Sequence, residues 1–137
     1  MKITGGCHCG AITYEAELEP EKVGVCHCTD CQSLSASAFR TIAVVTAKSF
    51  VITKGAAKEY IKIGSSGNPR VQAFCAECGS GLYATPAEGP RPTFNLRAGT
   101  IDQRAALRPH YEAWSKSRLP WVAPLEGTIK HDGQPPK

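Results

Sequence analysis

A chain of 137 residues, 42% hydrophobic and 20% charged, has the size and make-up of one ordinary globular domain with a modest core. No stretch approaches the ~20 apolar residues of a membrane span, and the opening "MKITGGCHCG" lacks the apolar run of a secretory signal; a cytoplasmic location is therefore expected. The net charge of +4 is uneven: residues 1–31 set Lys2 and Lys22 against Glu15, Glu17, Glu19, Glu21 and Asp30, whereas residues 32–76 set Arg40, Lys48, Lys54, Lys58, Lys62 and Arg70 against Glu59 alone.

The first motif in chain order is "GGCHCG", in which Cys7 and Cys9 stand two apart. In extended backbone such residues point the same way, so both sulfurs can address one ion, with Gly10 directly after. "AITYEAEL" (11–18) alternates Ile12, Tyr14, Ala16 and Leu18 with polar residues, which predicts a half-buried strand. "VCHCTDCQ" (25–32) then brings Cys26, Cys28 and Cys31 within six positions. The best helix candidate, "TDCQSLSASA" (29–38), has Thr29 and Gln32 at the spacing of a capping box. Cys31 falls in its first turn, where unpaired N–H groups favour a thiolate.

"RTIAVVTAKSFVIT" (40–53) is β-branched enough for one or two buried strands. "KEYIKI" (58–63), "RVQAF" (70–74), "GLYA" (81–84) and "TFNLRA" (93–98) predict further short strands, punctuated by Gly55, Gly64, Gly67, Pro69, Gly79, Gly89 and Pro90. Among them lies "CAECG", where Cys75 and Cys78 are separated by two residues and Gly79 suits a tight turn. A second helix is expected over 106–117, interrupted at Pro109. Residues 126–137 are polar and rich in Gly and Pro, which predicts a flexible tail behind a single domain of residues 1–125. The fold expected is mainly β with one short helix.

Seven cysteines divide into sets of four and three. Cytosolic zinc takes thiolates in tetrahedral geometry, as four ligands where it is structural and as three plus an open position where it is catalytic. Cys7, Cys9, Cys75 and Cys78 could close one site, and Cys26, Cys28 and Cys31 could hold another open. The alternatives are a redox pair in "CTDC", unligated core thiols, or one zinc site with three spare cysteines. His8 and His27 lie between ligand candidates and are expected to point away from the metal. The basic middle segment reads either as a solvated face or as an anion-attracting surface. With no arginine-rich run or aromatic-interleaved basic strip, the pattern points away from nucleic acid.

Together, "GGCHCGAITYE", "CHCTDCQSLSASAF", "FCAECGSGLY" and "LRAGTIDQRAALRPHYEAWSKSRLPW" resemble the glutathione-dependent formaldehyde-activating enzyme family, which includes centromere protein V. The resemblance runs from about Gly5 to Trp121. It implies a small zinc-stapled β-tent, a structural zinc on Cys7, Cys9, Cys75 and Cys78, and a catalytic zinc on Cys26, Cys28 and Cys31. The implied activity is that of a carbon–sulfur lyase joining glutathione, or a glutathione-like thiol, to formaldehyde as S-hydroxymethylglutathione. Two departures stand out: Ser33 occupies a place where many members carry a basic residue, and Ser35 or Ala36 one where many carry glycine. A non-catalytic zinc module that binds a protein or nucleic acid, and the same chemistry on a different thiol, are the rival readings. Arg97 and Arg118 join the basic segment as candidates to meet an acidic thiol.

Overall fold

The structure, a computed structural model, describes residues 1–64 and 67–136. It is mainly β, with eleven strands among the described residues: β1 (Lys2–Gly6), β2 (Thr13–Glu17), β3 (Val23–Cys26), β4 (Arg40–Thr46), β5 (Val51–Lys54), β6 (Lys58–Ile63), β7 (Pro69–Phe74), β8 (Gly81–Pro86), β9 (Thr93–Arg97), β10 (Tyr111–Ala113) and β11 (Ile129–Lys130). The α-helix, α1, covers Thr29–Ser35. A three-stranded sheet runs β1-β2-β5, and an eight-stranded sheet runs β11-β10-β3-β4-β9-β8-β7-β6. Every pairing is antiparallel except those that β10 makes with β3 and β11. No helix among the described residues is long and apolar enough to cross a membrane.

Strand alternation builds the core. Ile3, Ile12, Tyr14, Ala16 and Leu18 of the small sheet and its connections meet Val23, Ala43, Val45, Val71, Ala73 and Leu96 of the large one. Phe50, on the β4–β5 connection, fills the joint between the layers. Its ring lies 4.6 Å from Phe94, 5.5 Å from Tyr83 and 5.7 Å from Tyr14, centroid to centroid, distances at which aromatic pairs attract beyond the area they bury.

The one or two buried strands expected over 40–53 are two, β4 and β5, separated by a turn at Ala47–Phe50 in which Ser49 and Phe50 N–H donate to Thr46 and Ala47 carbonyls, and β5 is largely exposed rather than buried. The expected second helix over 106–117 does not form. Short 3₁₀ turns at Arg104–Ala106 and Ser115–Ser117 flank strand β10 instead. Pro109 has no N–H for a helical ladder, and Tyr111, Glu112 and Ala113 satisfy their backbone against β3. In the segment 126–136, β11 pairs with β10 at the edge of the large sheet; Lys137 lies outside the described residues.

The capping expected of Thr29 and Gln32 is also replaced. Cys28 is the N-cap, its Sγ accepting from Cys31 N–H at 3.3 Å. Gln32 is drawn away because its Nε2 donates to the carbonyls of His27 (2.8 Å) and Ser117 (3.1 Å). At the other end, α1 closes on Ala36 with φ of 51°, a left-handed conformation in which a Cβ is strained by roughly 1–2 kcal/mol. Glycine removes that strain at an entropic cost of about 0.5–1 kcal/mol. Ala36→Gly is therefore expected to raise stability by up to about 1 kcal/mol in urea denaturation; a loss of stability would show that the cap is not strained.

Candidate functional site

The connections of two hairpins build the first cysteine cluster. Cys7 and Cys9 lie on the turn between β1 and β2, and Cys75 and Cys78 on the turn between β7 and β8. Each turn is tight because a glycine follows in the left-handed region, Gly10 at φ 80° and Gly79 at φ 78°. The four sulfurs lie within 4.8 Å of one another, with Cys7–Cys9 at 3.7 Å and Cys9–Cys75 at 3.8 Å. Four thiolates about 2.3 Å from one tetrahedral ion would stand about 3.8 Å apart, so the spacing fits a metal ion. Backbone and hydroxyl donors favour the thiolate at Cys7 and Cys78, whereas Cys9, although Ala11 N–H favours its ionisation, is pushed up to about 11 by desolvation and the neighbouring thiols. Cys78 is held down at about 5 by the Ser80 hydroxyl, 3.3 Å away, and by the Ser80 N–H. Ile12 N–H donates to Cys7 Sγ at 3.2 Å.

The second cluster sits where β3 runs into α1. Cys26 is the last residue of β3, Cys28 the helix cap and Cys31 its first turn. Their sulfurs also lie within 4.8 Å of one another and could hold a metal ion. Cys26 is buried, whereas Cys28 and Cys31 are half-buried. The sequence points to Cys31 as the thiol favoured by the helix N-terminus, but the geometry gives that place to Cys28. Its thiol is pulled down to about 2 by hydrogen bonds from the Cys26 and Cys31 thiols and from Cys31 N–H, with the charge of Lys62 adding to them. Cys31 is instead raised: the Cys26 thiol favours its ionisation, but Cys28 and burial outweigh that. None of the seven cysteines is in a disulfide.

Alternation along β3 sends its neighbours to opposite faces. His27 turns away from the sulfurs and is buried against Glu112 of β10, Nε2 to Oε1 at 2.9 Å. Glu112 Oε2 accepts from the Thr128 hydroxyl at 2.6 Å and Leu125 N–H at 3.2 Å, with Lys130 Nζ at 3.5 Å. The segment 125–130 is thus tied through Glu112 to the loop that carries Cys26 and Cys28. Sequence reasoning missed this link, because nothing local to "YEA" marks its glutamate as buried.

The other face of the large sheet is cationic. Arg40 is the register partner of Cys26, and Arg97 that of Ile42 two residues along. Arg70 and Gln72 lie on the same face of β7, with Ala84 and Asn95 linking the register across to β4. Arg40 Nη1 and Arg97 Nη2 both donate to Gln72 Oε1, at 3.1 Å and 2.6 Å. Burial and the neighbouring Arg40 lower Arg97 to about 9, although Cys31 and Cys26 act against them. Lys62 of β6 closes this side by pairing with Asp30 of α1 at 2.8 Å. Of the candidate cations named from sequence, Arg40, Arg70 and Arg97 gather beside the three-cysteine cluster. Arg118 follows the 3₁₀ turn Ser115–Ser117. His8 donates its N–H to Ser80 Oγ at 3.0 Å, beside the four-cysteine cluster.

A model of the glutathione-dependent formaldehyde-activating enzyme family matches residues 2–117. An uncharacterized lyase of Schizosaccharomyces pombe is 29% identical over 90 residues, 66% of this chain; the match covers 62% of that relative's length. A Rhodobacter sphaeroides protein of known crystal structure superposes with a TM-score of 0.55 at 18% identity, covering 93% of this chain and 97% of that one, which shows a shared fold.

The buried pair makes a prediction about pH. Burial opposes ionisation of Glu112, but hydrogen bonds from Thr128, His27 and Leu125 outweigh it, so its carboxyl sits below the ordinary value. A depressed native value contributes stability that is present above the unfolded carboxyl range, about 4.3, and lost as pH falls through the native value. Urea midpoints of the wild type are expected to fall across that window, and Glu112→Gln to flatten the fall. Parallel curves for the two proteins would mean that another carboxylate sets the acid limb.

Proposed function

We propose that this chain, which belongs to the glutathione-dependent formaldehyde-activating enzyme family, works as a zinc-dependent carbon–sulfur lyase-type enzyme that joins a thiol such as glutathione to formaldehyde or a related aldehyde. The observation that carries this reading is the inequality of the two sulfur clusters: four thiols gather between two hairpin turns, and three gather at a strand–helix junction beside Arg40 and Arg97, which bond to Gln72 and have no carboxylate partner among the described residues. In this reading Cys7, Cys9, Cys75 and Cys78 hold a structural zinc, and Cys26, Cys28 and Cys31 a catalytic one, within a catalytic domain of residues 1–125. Zinc with three protein ligands keeps a position at which a substrate thiol is bound and ionised.

The chain's own residues supply placement. Cys26 is fixed by the β3 ladder, Cys28 by its cap hydrogen bond and Cys31 by the helix. A sulfur held against such a rigid trio is positioned for attack on a carbonyl carbon, and proximity is a large part of what such sites contribute. Forming the carbon–sulfur bond moves the carbonyl electron pair onto oxygen, which takes up a proton; the reverse reaction breaks the bond. Arg40, opposite Cys26, offsets the negative charge that three thiolates and a bound fourth would gather. The lyase name of the fission-yeast relative supports the reaction class. Seven unpaired thiols fit the reducing cytosol as the compartment of action.

Two substitutions separate the clusters. Cys75→Ala is expected to lower the thermal midpoint of the whole domain, because structural metal binding is coupled to folding. Cys31→Ala should leave the midpoint nearly unchanged and abolish glutathione binding, which in the wild type should release about one proton per thiol bound in calorimetry repeated in two buffers. Equal destabilisation by both variants, or glutathione binding that survives Cys31→Ala, would sink the division of roles.

A further inference from the structure

Arg40, Arg70 and Arg97 are an electrostatic anomaly. Among the described residues, none has a carboxylate within ion-pair distance. Arg40 is only 8% exposed, and desolvation weakens the protonated state of both Arg70 and Arg97. Buried or half-buried cations without a counter-charge are destabilising.

Gln72 makes the anomaly sharper. Its side-chain oxygen already sits at hydrogen-bond distance from two guanidiniums. Glutamate has the same length and would turn both contacts, already charge-assisted by their guanidinium donors, into full ion pairs. The chain holds a neutral amide there, so the face stays positive. Three thiolates around a divalent ion carry a net −1, which neutralises only one of the three arginines. A charge excess that one isosteric change would relieve is what a binding site looks like when it trades stability for a ligand.

We propose that Arg40, Arg70, Arg97 and Gln72 form a subsite for a carboxylate carried by one of the two reactants, either the thiol or the aldehyde. The naming of reactants rests on the lyase reading above; the anion subsite itself does not. Register gives the reach. Cys26 and Arg40 are directly opposed on antiparallel strands, where Cβ atoms stand about 4.5–5.5 Å apart, so a carboxylate on this face lies a few bonds from a sulfur held at the three-cysteine cluster. Guanidinium forks pair with carboxylates through two parallel hydrogen bonds, and Gln72 Oε1 holds the forks of Arg40 and Arg97 toward one point. Formaldehyde offers no charge to such a subsite, so discrimination falls to whichever reactant bears the carboxylate.

The test is calorimetric titration of the zinc-loaded full chain with two probes: S-methylglutathione, which keeps the carboxylates of the thiol and blocks its sulfur, and glyoxylate, an aldehyde that carries one. At least one is expected to saturate, with Arg97→Met and Arg70→Met each raising its Kd about tenfold or more, the loss of a charged hydrogen bond. Gln72→Glu should abolish that binding while raising the thermal midpoint. Arginine-dependent binding of S-methylglutathione alone assigns the carboxylate to the thiol, and of glyoxylate alone to the aldehyde. The subsite is overturned if neither probe binds, if both arginine variants bind like the wild type, or if Gln72→Glu binds normally or loses stability. Arginine-dependent carboxylate binding without any thiol-dependent turnover would instead remove the lyase reading and leave the subsite standing.

Discussion

The four-sulfur junction is the constraint on which the rest of the structure depends. A chain of 137 residues buries only a modest core, and its two sheets meet at an open edge where the β1–β2 and β7–β8 turns approach. The turns bring Cys7, Cys9, Cys75 and Cys78 to that meeting point, with Ile12 buried beside them. A metal ion there would close the two layers against each other across a sequence separation of 66 between Cys9 and Cys75. Joining residues so distant in sequence removes much of the unfolded chain's freedom. Once the layers are fixed, the large sheet can leave its second face to chemistry, because the first face already holds the core.

That division is drawn by the period of a strand. In β3, Val23 and Val25 face the core and Cys26 ends the strand on the other side, one position from His27. A shift of one residue would exchange them. The parallel pairing with β10 guards the register, since Glu112 meets His27 only when Ala113 stands opposite Cys26. Gly24 belongs to the same arrangement: a Cβ there would fall 2.3 Å from the Tyr111 ring, so the close approach of β3 and β10 requires glycine. Packing on one face thereby sets the position of sulfur on the other.

The alternating strands and the close cysteine groups were legible in the sequence, because both depend on local spacing: period two for "AITYEAEL", and gaps of one or two residues within Cys7/Cys9, Cys26/Cys28/Cys31 and Cys75/Cys78. What was not legible depends on partners far away. "VGVC" and "YEA" carry no strong strand signal, yet they form a parallel pair toward one end of the large sheet. Helix 106–117 failed for the same reason, since β3 offered Tyr111–Ala113 a better set of backbone partners than a helix around Pro109 could. Thr29 and Gln32 have capping-box spacing, but the Cys28 sulfur and the carbonyls of His27 and Ser117 outcompeted it. The cation cluster was visible only as a set of candidates: Arg40 and Arg70 stand in the basic segment and Arg97 joins them with Arg118, whereas register decides which of them gather and brings in the neutral Gln72.

The missing basic residue at position 33 has a different meaning once α1 is seen. At 3.6 residues per turn, two residues are about 200° of rotation, so a side chain at 33 leaves the helix on nearly the opposite side from Cys31. Ser33 lies with Thr29, Gln32 and Ala36 along a groove completed by Leu119 and Trp121, while Asp30 faces Lys62. A cation at position 33 would therefore charge the groove rather than the space above the sulfurs. The positive charge beside Cys26 comes from strands, on side chains whose spacing is fixed by backbone ladders. A helix of seven residues can shift against its sheet, whereas β4, β9, β8 and β7, neighbours in that order, cannot shift without breaking their hydrogen bonds. An arginine cluster mounted on β4, β7 and β9 thus presents one fixed arrangement, suited to reading the shape of an anion as well as its charge.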